Sequence, residues 1–245
     1  LITITSKRMK KVIYSLILVL SLNHASAQDN KFSIGFSAFP NYSFGIISPT
    51  VSSAIPLAVE IQSRETWKPS VSGTVFMEYA LGEKSALGFG LGYQNNGERT
   101  RKMDLIFAVN PQTGEVITDP SWPTQAKMVY NHHNIEIPVF YRYQFSKKWY
   151  ARAGFSNIIN LTNTATSKQY FANGEVTKNT QTDESTDFRT YNISVNLGIG
   201  CDLIQTEKIT AFVEPYGQYG IKGISNFAPV NRNMLSLGLV LGVRL

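Results

Sequence analysis

Two adjacent histidines, His132 and His133, are the best candidates in the sequence for acid–base chemistry, because the third, His24, falls in an apolar N-terminal stretch. Neighbouring strand residues point to opposite faces, so at most one of the pair can serve any one surface. A Ser–His nucleophile needs hydrogen-bond contact and an orienting third group, and the spacing here does not supply that set. The acids around the pair do not follow zinc or calcium ligand spacing. Asp183 and Glu184 in QTDESTD read as a solvated loop rather than a calcium cage. Cys201 stands alone, which excludes a disulfide framework and a cysteine-based metal site. Gly88-Phe89-Gly90-Leu91-Gly92 imitates a dinucleotide loop, yet it sits mid-strand with no helix after it; its glycines instead make room for large neighbours. These readings give no catalytic residue, no metal and no cofactor. What remains is a set of six charges, Glu78, Glu136, Glu214, Arg142, Arg152 and Arg244, in a chain with only 16% charged residues.

The elements that must carry those six are strands. After Gln28 apolar and polar residues alternate with period two through eight segments. The first is Phe32–Phe44, with Phe32, Ile34, Phe36 and Ala38 opposed to Ser33, Gly35 and Ser37. Val71–Leu81 sets Ser72, Thr74 and Glu78 against valines, Met77 and Tyr79, and Leu87–Gln94 alternates bulky residues with glycine. Next come Ile135–Gln144, with Glu136 and Arg142 on its polar side, and Trp149–Ser156, with Arg152. Asn192–Leu203 follows, then Thr210–Ile221 with Glu214, and Leu235–Leu245 with Arg244. The six charges thus share one face, spread over five segments. Pro138 and Pro215 interrupt this pattern, and since proline cannot donate to a ladder a bulge is expected at each.

Residues 1–27 form a separate unit. From Met9, MKKVIYSLILVLSLNHASAQ offers a basic start, an apolar run from Val12 to Leu22, and small residues Ala25-Ser26-Ala27 before Gln28. That is the pattern of a secretory signal peptide, and the run falls short of the about 20 residues a spanning helix needs. Residues 28–245 then form one exported domain. Lys7, Arg8, Lys10 and Lys11 supply most of the net charge of +6, so the remainder is nearly balanced and carries no nucleic-acid footprint.

Connections alternate in length. Tight turns at 82–85, 146–148 and 205–208 oppose long segments at 45–70, 95–130 and 160–190. Short turns on one rim and long loops on the other describe a transmembrane barrel with its short rim periplasmic. A soluble barrel would invert the faces, with apolar bulk inside and lysine-rich polar residues outside. Here the polar face is rich in glycine and poor in lysine, which fits an apolar band against lipid around a polar interior. The expected fold is therefore all-β: an eight-stranded antiparallel up-and-down transmembrane β-barrel, closed so that no strand edge meets hydrocarbon. Aromatics at segment ends suggest interfacial girdles: Phe145, Trp149 and Tyr150 at the short rim, and Tyr42, Phe44, Tyr93, Tyr130, Tyr191 and Tyr219 at the long one.

The stretch Tyr130–Tyr143, YNHHNIEIPVFYRY, and the closing LSLGLVLGVRL resemble the small outer-membrane β-barrel family of the Bacteroidetes type, the porin-family or outer membrane beta-barrel domain proteins. The last strand is similar to the signal read by the barrel-assembly machinery, although this chain ends in Leu245 rather than the more usual aromatic. The resemblance covers the mature chain. It implies residence in the outer membrane, insertion by that machinery and contact with lipopolysaccharide of the outer leaflet, and it implies no activity. Some eight-stranded barrels of that membrane are lipid A deacylases or palmitoyltransferases that pair a His with a Ser at the outer rim, so His132 and His133 keep a lipid A-modifying enzyme as one alternative.

Unpaired buried ions are costly, so the six lumen charges are expected to pair with one another. An eight-stranded barrel is just wide enough inside for its own side chains, which favours a filled interior over a narrow porin-like channel. The expectation is a non-enzymatic structural or interaction component, with loops 45–70, 95–130 and 160–190 presented outward to protein partners. Within the second loop, Met103–Val109 and Glu115–Thr118 flank a turn and are expected to rise as a hairpin.

Overall fold

The computed structural model describes residues 31–109, 112–117, 119–183, 188–226 and 229–245; the signal-peptide reading and Glu184 lie outside them. Eight antiparallel strands form the wall: β1 (Phe32–Pro49), β2 (Lys68–Ala80), β3 (Ser85–Asn96), β4 (Pro123–Gln144), β5 (Trp149–Phe171), β6 (Tyr191–Gln205), β7 (Thr210–Gly220) and β8 (Val230–Arg244). Each pairs with its sequence neighbours, and β8 returns to β1, from Gly35 opposite Arg244 to Pro49 opposite Val230. The ring is closed, which leaves no edge along the circumference. Among the described residues no helix is long and apolar enough to cross a membrane; strands make the crossing.

The wall has the orientation that alternation predicts on all eight strands. Leu91, Leu197 and Leu239 are 60%, 65% and 45% exposed on the outer surface, whereas Glu78, Asn134, Asn196 and Glu214 are buried inside. The interior is not uniformly polar, however. Phe39, Phe76, Phe140, Tyr150, Phe212 and Val240 point inward and form a buried cluster, with Tyr216 packed against it. These rings need space that a neighbouring side chain would deny. A Cβ on Gly88 would lie 2.2 Å from the Phe140 ring, so the glycine seen in sequence is a slot for the ring on the next strand. Tyr150, expected in the short-rim girdle, is one of these interior residues and is only 1% exposed. Tyr130 likewise shares the inward parity of His132. Phe145, Trp149, Tyr42, Tyr93 and Tyr191 do face outward.

The bulges expected at Pro138 and Pro215 do not occur. Pro138 stays in register with Ser156, and Pro215 with Leu239. On the opposite edge the ladder drops two pairs at each proline and resumes without slipping, between Phe89 and Gly92 on β3 and between Gly198 and Cys201 on β6. A strand residue aims its N–H at one neighbour only, so a proline forfeits one bond on one side. Register shifts fall instead between Asn160 and Thr162, between Tyr170 and Phe171, and between Asp202 and Ile204.

The long-loop side is more ordered than plain loops. Segment 45–70 contains helix α1 (Ile55–Arg64), started by Pro56 in its first turn and carrying an Arg64–Glu60 pair at 2.6 Å. Gln62 ties it to β1 by accepting from the Ile47 N–H (2.9 Å) and donating to the Gly45 carbonyl (3.2 Å). Much of 160–190 is strand: β5 continues to Phe171, and Val176–Asp183 folds back to pair with it. The predicted hairpin in the second loop reduces to two pairs, Ala108 with Ile117 and Val109 with Val116, while Met103 and Asp104 pair with β4. The structure that rises beyond the wall is thus built on β4, β5 and Val176–Asp183.

One seam of the wall ends early. The β2–β3 ladder stops at Gly73 opposite Tyr93, although β2 runs on along β1 to Lys68 and β3 along β4 to Asn96. Side chains stand in for the missing ladder. The Asn95 N–H donates to Ser72 Oγ at 3.2 Å, and the Lys68 ammonium donates to Asn95 Oδ1 at 2.9 Å and to the Asn96 carbonyl at 3.3 Å.

Candidate functional site

The lumen is filled in three layers. Nearest the short turns lie five of the six predicted charges, joined by Asp202. Arg142 Nε meets Glu78 Oε2 at 3.0 Å, Arg244 Nη1 reaches the same oxygen at 3.6 Å, and Arg244 also pairs with Asp202. Arg152 Nη2 lies 2.8 Å from Glu214 Oε1, and the Tyr150 hydroxyl donates to Glu214 Oε2 at 3.0 Å. Three carboxylates thus face three guanidiniums. The arginines also lie over the interior rings: Arg152 is 4.9 Å from the centres of both Phe140 and Tyr216, and Arg244 is 5.0 Å from Phe212 and 5.2 Å from Tyr150. A guanidinium can satisfy a carboxylate at its edge and a π-face on its plane, so aromatic core and ion-pair layer are one structure.

Glu136, the sixth predicted residue, stands apart from this group and forms no ion pair among the described residues. It accepts from Gln218 Nε2 at 2.7 Å, in a middle layer made mostly of amides. Gln94 Nε2 donates to Gln218 Oε1 (2.5 Å), Asn134 Nδ2 to Gln94 Oε1 (3.2 Å) and Asn160 Nδ2 to Asn134 Oδ1 (2.9 Å). The cavity these amides line holds about 40 Å³, room for roughly three waters.

The third layer, on the long-loop side, is a second buried charge cluster. Glu98 is completely buried and lies 2.8 Å from Arg232 Nη1 and 3.3 Å from His132 Nε2. Arg232 also pairs with Glu65, itself only 5% exposed. Gly97 sets this geometry: it adopts φ 147°, and a Cβ there would lie 2.0 Å from the Tyr130 carbonyl oxygen, so the chain turns tightly over β4 and Glu98 drops inward. Burial pushes the Glu65 carboxyl up to about 7, with the Glu98 charge adding to the rise and Arg232 opposing it. Burial acts the same way on Glu98, but Arg232 and His132 outweigh it and hold that carboxyl below its ordinary value. Alternation could not reveal this cap, because Glu65 and Glu98 sit in connections. A charged residue next to a glycine at a strand end was its only trace.

The two histidines part company as strand geometry requires. His132 points inward, with Nδ1 on Asn163 Oδ1 at 2.8 Å and Nε2 toward Glu98. His133 points outward and meets the Tyr93 hydroxyl, with Asn95 Nδ2 at 3.3 Å. Among the described residues neither hydrogen-bonds a serine. Cys201 faces outward, half-buried and free. Among the described residues, no three His, Cys, Asp or Glu side chains cluster to hold a metal.

Comparison with known proteins agrees with this architecture. A family model described as "Outer membrane protein beta-barrel domain" matches residues 26–226. No curated protein matches the chain. Among solved structures, Neisserial surface protein A is 13% identical over 88% of this chain and 96% of its own, with a TM-score of 0.40. Ail of Yersinia pestis is 6% identical over 86% and 99% at 0.37, and the outer membrane protease OmpT of Escherichia coli 9% identical over 87% and 95% at 0.42. With that match over most of its length and a closed ring of eight strands, greasy outside and polar within, the chain belongs to the outer membrane protein beta-barrel domain family and resides in the outer membrane.

Proposed function

We propose that this protein is a sealed, non-conducting and non-enzymatic outer-membrane barrel that serves the cell envelope as a structural or interaction component. Its working surface is then the superstructure beyond the wall. The observation that carries this reading is the filling of the lumen: a layer of three acids and three arginines locked onto inward rings, then amides, then a buried cap. Buried pairs of this kind rigidify and specify a structure only when satisfied. The outer surfaces support the second half of the reading, since Ile55, Leu57 and Val59 are exposed apolar residues on α1. The same reading assigns protein contacts to these surfaces and lipid contacts to the wall. Planar-bilayer recording of the refolded full-length protein tests the reading. Silence at up to 100 mV is expected, and discrete conductance steps would instead establish a channel.

A further inference from the structure

Beyond the wall the sheet ends in an open edge. The returning strand Val176–Asp183 pairs with β5 on one side, from Tyr170 opposite Val176 to Asn163 opposite Asp183, and among the described residues no strand pairs with its other side. It runs for eight residues without proline or a register shift, and Val176 through Thr182 are exposed. The unpaired N–H and C=O groups of such a strand are a template for another extended chain. Which groups face outward follows from the turn. The Phe171 N–H donates to the Glu175 carbonyl at 3.0 Å, so that pair is hydrogen-bonded and so is every second pair after it. Thr177, Asn179 and Gln181 therefore direct their backbone groups to β5, and Val176, Lys178, Thr180 and Thr182 turn theirs to the open side. The same alternation holds across β4, where Tyr130, opposite Ala165, sends its N–H away from β5 to the Glu98 carbonyl at 2.8 Å.

The edge stands clear of the membrane. Lys178 lies opposite Lys168 and Lys168 opposite Lys127, which is eight residues along β4 from Ile135. At about 3.3 Å per residue on a strand tilted by roughly 40°, the lysines stand about 20 Å above the level of Ile135 and its neighbour Tyr93. An occupant of the edge thus arrives from the aqueous side.

Charge sets the chemistry of that occupant. Lys127, Lys168 and Lys178 stand side by side on one face, and Met103 opposite Ala126 brings Lys102 to the same row. Like charges directly opposite one another destabilise a sheet. Burial first, then the charges of Arg99, Lys168 and Lys102, hold the Lys127 ammonium below its ordinary value. Among the described residues none of the four lysines forms a salt bridge. A further strand with a carboxylate opposite Lys178 would supply the countercharge the row lacks. A second copy of this chain, added antiparallel, would instead bring its own lysines to the same face and invert its barrel.

We propose that the open edge Val176–Asp183 docks an extended acidic segment of a partner protein, which adds as one more strand and sets Asp or Glu at alternate positions against Lys178 and Lys168. This inference rests on the reading of the superstructure as an interaction surface and names what that surface takes. Main-chain bonds to the edge supply affinity, and the lysine row selects the sequence.

The test uses the full-length protein in uncharged detergent and a fluorescent eight-residue peptide of alternating Glu and Thr, as long as the edge, with binding read by anisotropy. Saturable binding is expected, weakening as salt rises. It should fall about tenfold in K168Q/K178Q. A similar loss, about tenfold, is expected in Thr180→Pro, which removes a donor on the open side and leaves the ladder to β5 intact. The same peptide methylated at its glutamate nitrogens keeps its charge but cannot pair as a strand. It should bind at least about tenfold more weakly, an arm that depends on no variant folding. Absent binding, equal binding of the methylated peptide, or binding unchanged in either variant would overturn the proposal while leaving the sealed barrel, read by conductance, untouched. Tighter binding of a soluble sulfated polysaccharide would overturn it in favour of a carbohydrate polyanion. Self-association abolished by Thr180→Pro would overturn it in favour of a second copy.

Discussion

Replacing Glu214 by alanine is the sharpest perturbation of the filled lumen. Glu214 is fully buried, receives the Tyr150 hydroxyl at 3.0 Å and faces Arg152 at 2.8 Å, and Arg152 is itself only 9% exposed. The truncation strands a buried guanidinium with rings on its plane and no carboxylate at its edge. Breaking a buried pair in this manner costs about 3–5 kcal/mol. Removing both partners in E214A/R152M should recover most of that loss, because an apolar replacement of similar bulk for a buried pair is often neutral. The coupling energy of the cycle is therefore expected to be about 2–4 kcal/mol. Urea unfolding in lipid vesicles reads these quantities through the lipid-facing Trp149, 48% exposed on the outer wall. A loss below about 1 kcal/mol for E214A would mean that water already solvates Arg152, and the reasoning from a filled lumen would be refuted.

Other consequences concern packing, the cap and the seam. Gly88→Ala places a methyl 2.2 Å from the Phe140 ring and should destabilise by about 1–3 kcal/mol, measured by the same unfolding; no change would mean the ring has another place to go. The cap should respond to pH with a defined sign. The folded Glu65 carboxyl titrates near 7 against an ordinary 4.5, so its contribution is full below 4.5 and falls by about 3 kcal/mol as pH rises to 7. Glu98, held low by Arg232 and His132, contributes in the opposite sense and weakens the cap as pH drops below 4.5. Hydrogen exchange across residues 55–66 should therefore be slowest near pH 4.5–5 after correction for intrinsic rates, and Glu65→Gln should flatten the rise above it. Lys68→Met removes the ammonium that bridges the early end of the β2–β3 ladder. Exchange at Asn95 and Asn96 is expected to speed up at least about tenfold, the equivalent of losing roughly one hydrogen bond to a charged donor, with exchange at 86–92 unaltered.

Period-two alternation carried most of the architecture, because lipid outside and polar packing inside impose opposite demands on successive residues. It placed Glu78, Arg142, Arg152, Glu214 and Arg244 on one inner surface, where they pair. The reading failed where the inner surface departs from simple polarity. Phe76, Phe140 and Phe212 share the parity of Glu78, Glu136 and Glu214 and lie on the inner surface, where glycines such as Gly88 make room for the rings. Tyr150 looked like an interfacial aromatic because its type suits a girdle, while its parity put it inside. The prolines misled in a different way, since the loss of one donor in a ladder edge requires no extra residue. The cap was hidden for a topological reason. Glu65 and Glu98 are far apart in sequence, lie in connections, and meet Arg232 only when β8 closes against β1.

Orientation and filling together are tested most directly by thiol accessibility along β6 in a Cys201→Ala background reconstituted in vesicles. Single cysteines at Val195, Leu197 and Ile199 should be reached by a bilayer-soluble quencher when labelled. Cysteines at Ser194 and Asn196, buried in the lumen, should react with a charged, water-borne thiol reagent at least about a hundredfold more slowly than one in an exposed loop. Equal, rapid reaction of the inward positions from the aqueous side would show an open, wet lumen and contradict the account.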